Sequence, residues 1–100
     1  MARYDVYPMP RGGPGGLLDV QADLLDHLRT RVVVPLIPRD GGPAAIGGLN
    51  PVLVIAGVAH VMLTQAIATV PVKELRAPIA SLRGEADVVM RALDVLLSGV

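Results

Sequence analysis

The sequence predicts a mainly β protein that ends in one α-helix, with its strands arranged as a small barrel-like sheet capped by that helix. Two observations predict this class. Short apolar or alternating segments, separated by Pro and Gly, fill residues 3–72, whereas the apolar residues from Leu82 onward recur at helical spacing. We expect a single domain over residues 1–100, because a chain of 100 residues that is 52% apolar can build one core.

Three strands are expected in the first forty residues. The alternating segment at residues 3–7 ends at Pro8 and predicts the first strand, and residues 17–22 predict the second. Residues 31–37 are almost wholly apolar and predict a third, longer strand. The glycine-rich segment at residues 11–16 is expected to be a flexible connection. It does not resemble a phosphate-binding loop, because no Lys-Ser or Lys-Thr pair follows it at the start of a helix.

A loop and a hairpin are expected next. Residues 38–49 combine Gly and Pro with small residues, which predicts a mobile excursion. Residues 52–55 and 58–63 are rich in β-branched side chains and are separated by Ala56-Gly57. This pattern predicts a buried hairpin with a two-residue turn.

The same region is also long enough for a transmembrane helix, since residues 52–70 carry no charge. Pro51 and Pro71 bracket the segment, however, and His60 and Gln65 interrupt it. We therefore favour the hairpin and expect no membrane span.

A short last strand and a helix complete the chain. Residues 69–72 predict the strand, and residues 82–97 predict the helix. The apolar stripe of that helix consists of Val88, Val89, Ala92, Leu93, Val95 and Leu96. Asp87, Arg91 and Asp94 fall toward the opposite face, and Ser98-Gly99 predicts the end of the helix.

The composition restricts the partners of the protein. Nine basic and nine acidic residues cancel, and Lys73 is the one lysine, so we expect no direct binding to nucleic acid. So many aliphatic residues with only 18% charge predict a buried subunit interface. The absence of Cys excludes disulfides and thiolate metal sites. The first ten residues lack the apolar core of a secretory signal, and we therefore expect a cytoplasmic protein.

The residues that could carry chemistry do not form a recognisable catalytic set. Asp19, Asp23 and Asp26 form the one local carboxylate cluster and are expected to be solvated or turn-forming. His27 is expected in a surface turn and His60 in the hairpin, and neither has a metal-ligand partner at a recognised spacing. We therefore expect a binding protein rather than an enzyme, with no metal and no cofactor.

Two apolar features stand out as candidate contact surfaces. Leu24 and Leu25 follow the second strand, where successive side chains point in opposite directions, so one of them is expected to be exposed. They can equally be ordinary residues at the edge of the core. Residues 96–100 carry no charge, which fits a packed tail at a subunit interface better than a fraying helix end.

The order of these segments resembles that of the CcdB family of bacterial toxins, which are small dimeric proteins that poison DNA gyrase. The resemblance rests on DVQADLLD at residues 19–26, followed by RVVVPL at residues 31–36. Residues 49–72 also match in length and in landmarks, which include Pro51-Val52, the hairpin and the closing ATVPV. The resemblance covers nearly the whole chain. It implies an SH3-like small barrel of the CcdB and MazF type, a homodimer, and a paired antitoxin whose disordered C-terminal tail folds onto the toxin.

In that family the apolar pair after the second strand and the last helical residues contact the gyrase A subunit and trap the cleaved DNA complex. The resemblance implies the same gyrase-binding role for Leu24, Leu25, Asp94, Leu97, Ser98, Gly99 and Val100. Three of these depart from the family pattern, which has Asn at position 94, Phe at 97 and Trp at 98. Loss of a buried Trp anchor commonly costs about 2 kcal/mol, roughly a thirtyfold loss of affinity. The resemblance thus implies a toxin whose action on gyrase is weakened or redirected.

Two alternatives remain open at this point. The first is a non-toxic homologue that binds an antitoxin or forms a structural dimer, and the Ser at position 98 favours it. The second is a MazF-like endoribonuclease that recruits Arg29, Thr30, Arg31 or Thr64. The neutral charge and the lack of stacking aromatic residues argue against a groove for single-stranded RNA.

Overall fold

The computed structural model describes residues 2–40 and 45–99, which form a nearly closed antiparallel β barrel with a C-terminal helix. Its strands are β1 (Asp5–Pro8), β2 (Gly16–Asp19), β3 (Thr30–Pro38), β4 (Val52–Ile55), β5 (Val58–Met62), β6 (Ala68–Pro71) and β7 (Ala80–Ser81), and its helix is α1 (Ala86–Ser98). Short 3-10 helices lie at Asp23–Leu25, Thr64–Ala66, Val72–Glu74 and Arg83–Glu85. The predicted class, a small barrel of the CcdB type with a C-terminal helix, is confirmed.

The long strand β3 organises the sheet, whose order is β4-β5-β3-β2-β1-β7. One edge of β3 pairs with β2, and the other edge is shared by two partners. The first half of β3 pairs with β6, with Thr30 opposite Pro71, and the second half pairs with β5, with Pro38 opposite His60. The aliphatic run predicted as the third strand is therefore the strand that most of the barrel is built around.

The core lies between the barrel strands and one face of α1. Its buried residues are Tyr4, Val6, Leu18, Val20, Val34, Leu36, Leu53, Ile55, Met62, Leu82, Val89, Ala92 and Leu93. The helix enters this core through Val89, Ala92 and Leu93, which confirms the predicted stripe. The stripe is narrower than expected, because the side chain of Val88 is exposed.

The hairpin of β4 and β5 forms at the predicted position, but only one of its faces is buried. Leu53 and Ile55 lie in the core, whereas Val52, Val54 and Val58 are exposed on the outer face. The expectation of a buried hairpin is therefore confirmed for the inner face and wrong for the outer face. Within residues 2–40 and 45–99, no helix reaches the length and apolarity that a membrane span requires.

The hairpin turn requires a backbone conformation that alanine disfavours. Ala56 has a φ of 51° and Gly57 a φ of 80°, as in a type I′ turn, for which Asn-Gly is preferred. A left-handed alanine costs about 1–2 kcal/mol, and asparagine tolerates the conformation better. An Ala56→Asn variant is expected to gain about 1 kcal/mol in free energy of unfolding, measured by urea titration. Ala77→Asn in an exposed loop is the control, and equal stability of the two variants would contradict this turn geometry.

The first strands are shorter than their sequence patterns predict. β1 begins at Asp5 rather than at Arg3, because Tyr4 has a φ of 74° and turns the chain just before the strand. β2 ends at Asp19 rather than at residue 22, although the backbone N–H of Val20 still donates to the carbonyl of Val32. The hydrogen bonds of the ladder, rather than the apolar pattern, set these ends.

The second half of the chain shows three further differences. β6 lies at Ala68–Pro71, one residue earlier than expected, and the two-residue strand β7 was not predicted. The helix begins at Ala86 because the preceding 3-10 helix, Arg83–Glu85, takes up its predicted first turn. Residues 41–44 of the predicted mobile excursion lie outside the described residues, and Pro38 belongs to β3.

Candidate functional site

The leucine turn, residues 23–28, connects β2 to β3 and projects aliphatic side chains into solvent. It begins with the 3-10 helix Asp23–Leu25, and the backbone N–H groups of Leu25, Asp26 and Leu28 each donate to a carbonyl three residues earlier. Leu24 is 85% exposed, and Leu25 and Leu28 are each 41% exposed. We expected one exposed leucine of the pair, but both are exposed because a 3-10 turn carries them instead of a strand end.

The end of α1 is the second predicted contact segment. Gly99 adopts a φ of 73° and its backbone N–H donates to the carbonyl of Val95, which closes the helix as predicted from Ser98-Gly99. Leu97 is 75% exposed, and Asp94, Ser98 and Gly99 are also exposed. Val100, the last of the predicted gyrase-binding residues, lies outside the described residues.

Arg3 joins the leucine turn to the first half of α1 within one protomer. Its backbone N–H donates to Oδ1 of Asp23 over 2.8 Å, and its guanidinium donates to Sδ of Met90 in α1. At about 100° per residue, Leu97 lies about 20° from Met90 around the helix axis, and Asp94 lies about 40° from it. Arg3 therefore connects the leucine turn to the flank of α1 that carries Asp94 and Leu97, with Leu97 about 10 Å further along the helix axis than Met90.

The conformation of Tyr4 directs Arg3 toward the helix. Tyr4 is buried and left-handed, a conformation that costs a non-glycine residue about 1–2 kcal/mol. Hydrogen bonds on both sides hold it, because its N–H donates to the carbonyl of Asp19 and its carbonyl accepts from the N–H of Leu82. The Arg3 guanidinium also lies 5.0 Å from the centre of the Tyr4 ring. Sequence reasoning missed Arg3, because no local pattern signals a left-handed tyrosine.

A buried ion pair lies behind the leucine turn. Asp19 pairs with Val33 across β2 and β3, so Arg31 is its diagonal neighbour on the same face of the sheet. Nε of Arg31 donates to Oδ2 of Asp19 over 2.8 Å, Nη2 lies 2.7 Å from the same oxygen, and both side chains are fully buried. The expectation of a solvated Asp19 is therefore wrong, because a partner twelve residues away encloses it.

Burial shifts the titration of two groups in this region. It raises the pKa of the Asp19 carboxyl, and hydrogen bonds from Arg31 and from the Gln21 backbone N–H oppose that rise. Burial also raises the pKa of Tyr7, and the negative charges of Asp5 and Asp19 add to the effect. Removal of Arg31 would therefore leave a carboxyl group that strongly favours its neutral form.

An open groove of about 630 Å³ lies next to the leucine turn. It is lined by Asp26, Leu28, Arg29, Pro71, Val72 and Lys73. The backbone N–H of Val72 donates to the carbonyl of Arg29, which joins its two walls. Two cations and one carboxylate border an apolar floor, so the groove widens the surface that the leucine turn presents.

Three of the other candidate groups lie within the leucine turn itself, and several lie in the interior of the barrel. Asp23, Asp26 and His27 are exposed, whereas His60 is buried in β5 with Nδ1 2.8 Å from the carbonyl oxygen of Val58. No cluster of metal-ligating side chains occurs in the part of the chain that the structure describes. Arg31 and Thr64, two of the four residues considered for the endoribonuclease alternative, are fully buried, and Thr64 donates to the carbonyl of Leu49.

A comparison with known families gives one match. The family model described as CcdB protein matches residues 3–99, which include the leucine turn and all described residues at the end of α1. No curated protein sequence matches the chain.

Proposed function

Because the chain belongs to the CcdB family, we propose that it docks on the A subunit of DNA gyrase and traps the cleaved DNA complex. The family is one of gyrase-poisoning toxins from toxin–antitoxin modules. The observation that carries the proposal is the exposure of the aliphatic side chains of Leu24, Leu25 and Leu97, which lie in the two segments that the resemblance assigns to gyrase binding. Grouped exposed aliphatic side chains are typical of protein-binding surfaces. Gly99 and Val100 complete the proposed contact set.

The contact surface is weaker than the family pattern. Ser98 stands where the family has Trp, and Ser98 has neither the area nor the apolar character of an interface anchor. Asp94 adds a negative charge where the family has a neutral amide, so it repels an acidic partner surface and favours a basic one. We therefore propose weakened or redirected action on gyrase.

The same proposal includes two protein partners. A homodimer is supported by the outer face of the hairpin, where Val52, Val54 and Val58 are exposed although a solvent-facing strand is usually polar. A cognate antitoxin with a disordered C-terminal tail is the second partner, and the cytoplasm is the proposed compartment. Sedimentation equilibrium tests the dimer, and a monomer at all accessible concentrations would contradict it.

Isothermal titration calorimetry against the cognate gyrase A fragment tests the proposed target. Saturable heat with a dissociation constant in the micromolar range supports docking on gyrase. An absence of heat at several hundred micromolar protein removes gyrase from the proposal. A Leu25→Ala variant serves as the check that the heat depends on the leucine turn.

A gain of function is expected from Ser98→Trp. The indole restores a large apolar anchor at the end of α1, and we expect about thirtyfold tighter binding to the gyrase A fragment and stronger killing of growing cells. Arg91→Trp, at an exposed site about two turns before the helix end, is the control and is expected to leave binding unchanged. A Ser98→Trp variant that folds and dimerises but binds no better than the parent protein counts against the docking surface.

The second candidate function is a non-toxic homologue that binds an antitoxin or forms a structural dimer. The polar, exposed Ser98 is the observation that favours it. Expression in growing cells distinguishes the two candidates. Growth arrest that a neighbouring antitoxin gene relieves favours the toxin, and normal growth favours the non-toxic homologue.

A further inference from the structure

Gln21 connects the leucine turn to the interior of the barrel. Its side chain is buried, with Oε1 accepting from the backbone N–H of Val32 over 3.0 Å and Nε2 donating to the carbonyl of Leu25 over 2.9 Å. Its own backbone N–H donates to Oδ1 of Asp19 over 3.0 Å. The amide therefore bonds to β3 and to the turn at the same time.

The buried ion pair fixes the position from which Gln21 acts. Asp19 uses Oδ2 for Arg31 and Oδ1 for the backbone N–H of Gln21, so the ion pair fixes the backbone of Gln21, whose side chain in turn bonds to the carbonyl of Leu25. Hydrogen bonds of this kind, made to charged groups in a buried site, are among the stronger ones in proteins. The buried ion pair therefore gives Gln21 a rigid support.

Apart from its own three backbone hydrogen bonds, the leucine turn has few contacts that hold its shape. Every residue from 22 to 30 is exposed, so no side chain of the turn packs into the core. Arg3 contacts the turn at Asp23, before the leucine pair, whereas Gln21 contacts it at Leu25, within the pair. The Leu25 carbonyl also accepts the N–H of Leu28, so the contact with Gln21 is made where the turn closes on itself.

We propose that Gln21 is a positioning residue that holds Leu24 and Leu25 in the orientation required for docking, with the Asp19–Arg31 pair as its anchor. The proposal deepens, and rests on, the proposed function, because the leucine turn is the docking surface. A turn held in its bound shape before docking spares the ordering cost at the moment of binding. If the competent shape is populated only one tenth of the time, the apparent affinity falls about tenfold.

A Gln21→Glu variant isolates the contact between the side chain and Leu25. The carboxylate still accepts from Val32, but it places a second oxygen against the Leu25 carbonyl in place of the N–H donor. Hydrogen exchange of the Asp26 and Leu28 amides at pH 7.5 is expected to lose about tenfold in protection, and binding to the gyrase A fragment is expected to weaken about tenfold. Because burial beside a carbonyl oxygen raises the pKa of a carboxyl group, protonation at pH 4.5 is expected to supply an O–H donor again, and the protection to recover toward the wild-type value.

Asn50→Asp is the matched control, because Asn50 is also a buried amide that ties a loop to the barrel. Its Nδ2 donates to the carbonyl of Met62 and its Oδ1 accepts from Ile46, so the same chemical change loosens a different segment. We expect faster exchange near residue 46, unchanged exchange in the leucine turn, and wild-type binding to the gyrase A fragment.

The outcomes separate the two proposals. The positioning role is overturned if the leucine turn of Gln21→Glu keeps wild-type protection against hydrogen exchange. It is also overturned if Asn50→Asp loses as much gyrase binding as Gln21→Glu, because the loss then reflects a general loosening of the protein. If the wild-type protein does not bind the gyrase A fragment, the proposed target fails, and the exchange comparison by itself still decides whether Gln21 orders the turn.

Discussion

An Arg31→Met variant is expected to lose about 3–5 kcal/mol of its free energy of unfolding at pH 7. Methionine fills much of the space of the arginine stem but leaves the fully buried Asp19 carboxylate without its partner. Removing one member of a buried ion pair is strongly destabilising, because the remaining charge keeps its desolvation cost and loses its attraction. Urea titration followed by circular dichroism measures the loss.

The loss in free energy of unfolding caused by Arg31→Met is expected to be smaller at acidic pH. Burial already raises the pKa of Asp19 above its ordinary value of 3.8, and the hydrogen bond from Arg31 opposes that rise. Without Arg31, the folded-state pKa of Asp19 rises further. A carboxyl whose folded pKa exceeds its unfolded pKa contributes stability that is present below the unfolded pKa and is lost as the pH rises through the folded pKa. The difference from wild type is therefore expected to be smallest near pH 3.5 and largest near pH 7.

The double variant Asp19→Asn with Arg31→Met is the control for this mechanism. Asparagine keeps the oxygen that accepts the Gln21 backbone N–H but carries no charge. We expect the double variant to recover at least half of the stability that Arg31→Met loses at pH 7, and to lack the added pH dependence of that single variant. An Arg31→Met variant as stable as wild type at pH 7, or a double variant no better than the single one, would show that charge burial is not the cause.

A Leu24→Asp variant is expected to bind the gyrase A fragment at least thirtyfold more weakly than wild type and to lose its toxicity. A residue that acts as a hot spot at the centre of a docking surface carries about 2 kcal/mol or more, which corresponds to that factor, and a carboxylate there is costly to desolvate. Because Leu24 is 85% exposed, the free energy of unfolding is expected to change by less than about 0.5 kcal/mol. Calorimetry and urea titration of the same sample measure both quantities.

Ile79→Asp supplies a matched control for this prediction. Ile79 is another exposed aliphatic residue, and it precedes β7, outside both predicted contact segments. The variant is expected to keep wild-type binding and wild-type killing. Equal loss of binding in both variants would indicate a nonspecific effect of negative charge, and no loss in Leu24→Asp would place the docking surface elsewhere.

The sequence by itself determined the family, the fold class and the positions of β3, the hairpin and α1. The family rests on the resemblance of residues 19–36 and 49–72, whereas the strand and helix positions depend on local periods and turns: a long aliphatic run, two β-branched segments around Ala56-Gly57, and a helical stripe that ends at Gly99. Such signals are contained within a few neighbouring residues, so a single chain is enough to read them. The exposure of Leu24 followed partly from the same reasoning, although the 3-10 turn that also exposes Leu25 did not.

Only the tertiary structure decided how the candidate surface is held. Asp19 is expected from the sequence to be solvated or turn-forming, yet the pairing of β2 with β3 buries it with Arg31 and Gln21. In the same way, the left-handed Tyr4 brings Arg3 to Met90, a residue 87 positions away. The physical reason is that the cost of burying a charge or straining a backbone is offset by distant partners. Those partners come together only when the barrel forms, so a local sequence pattern does not identify them.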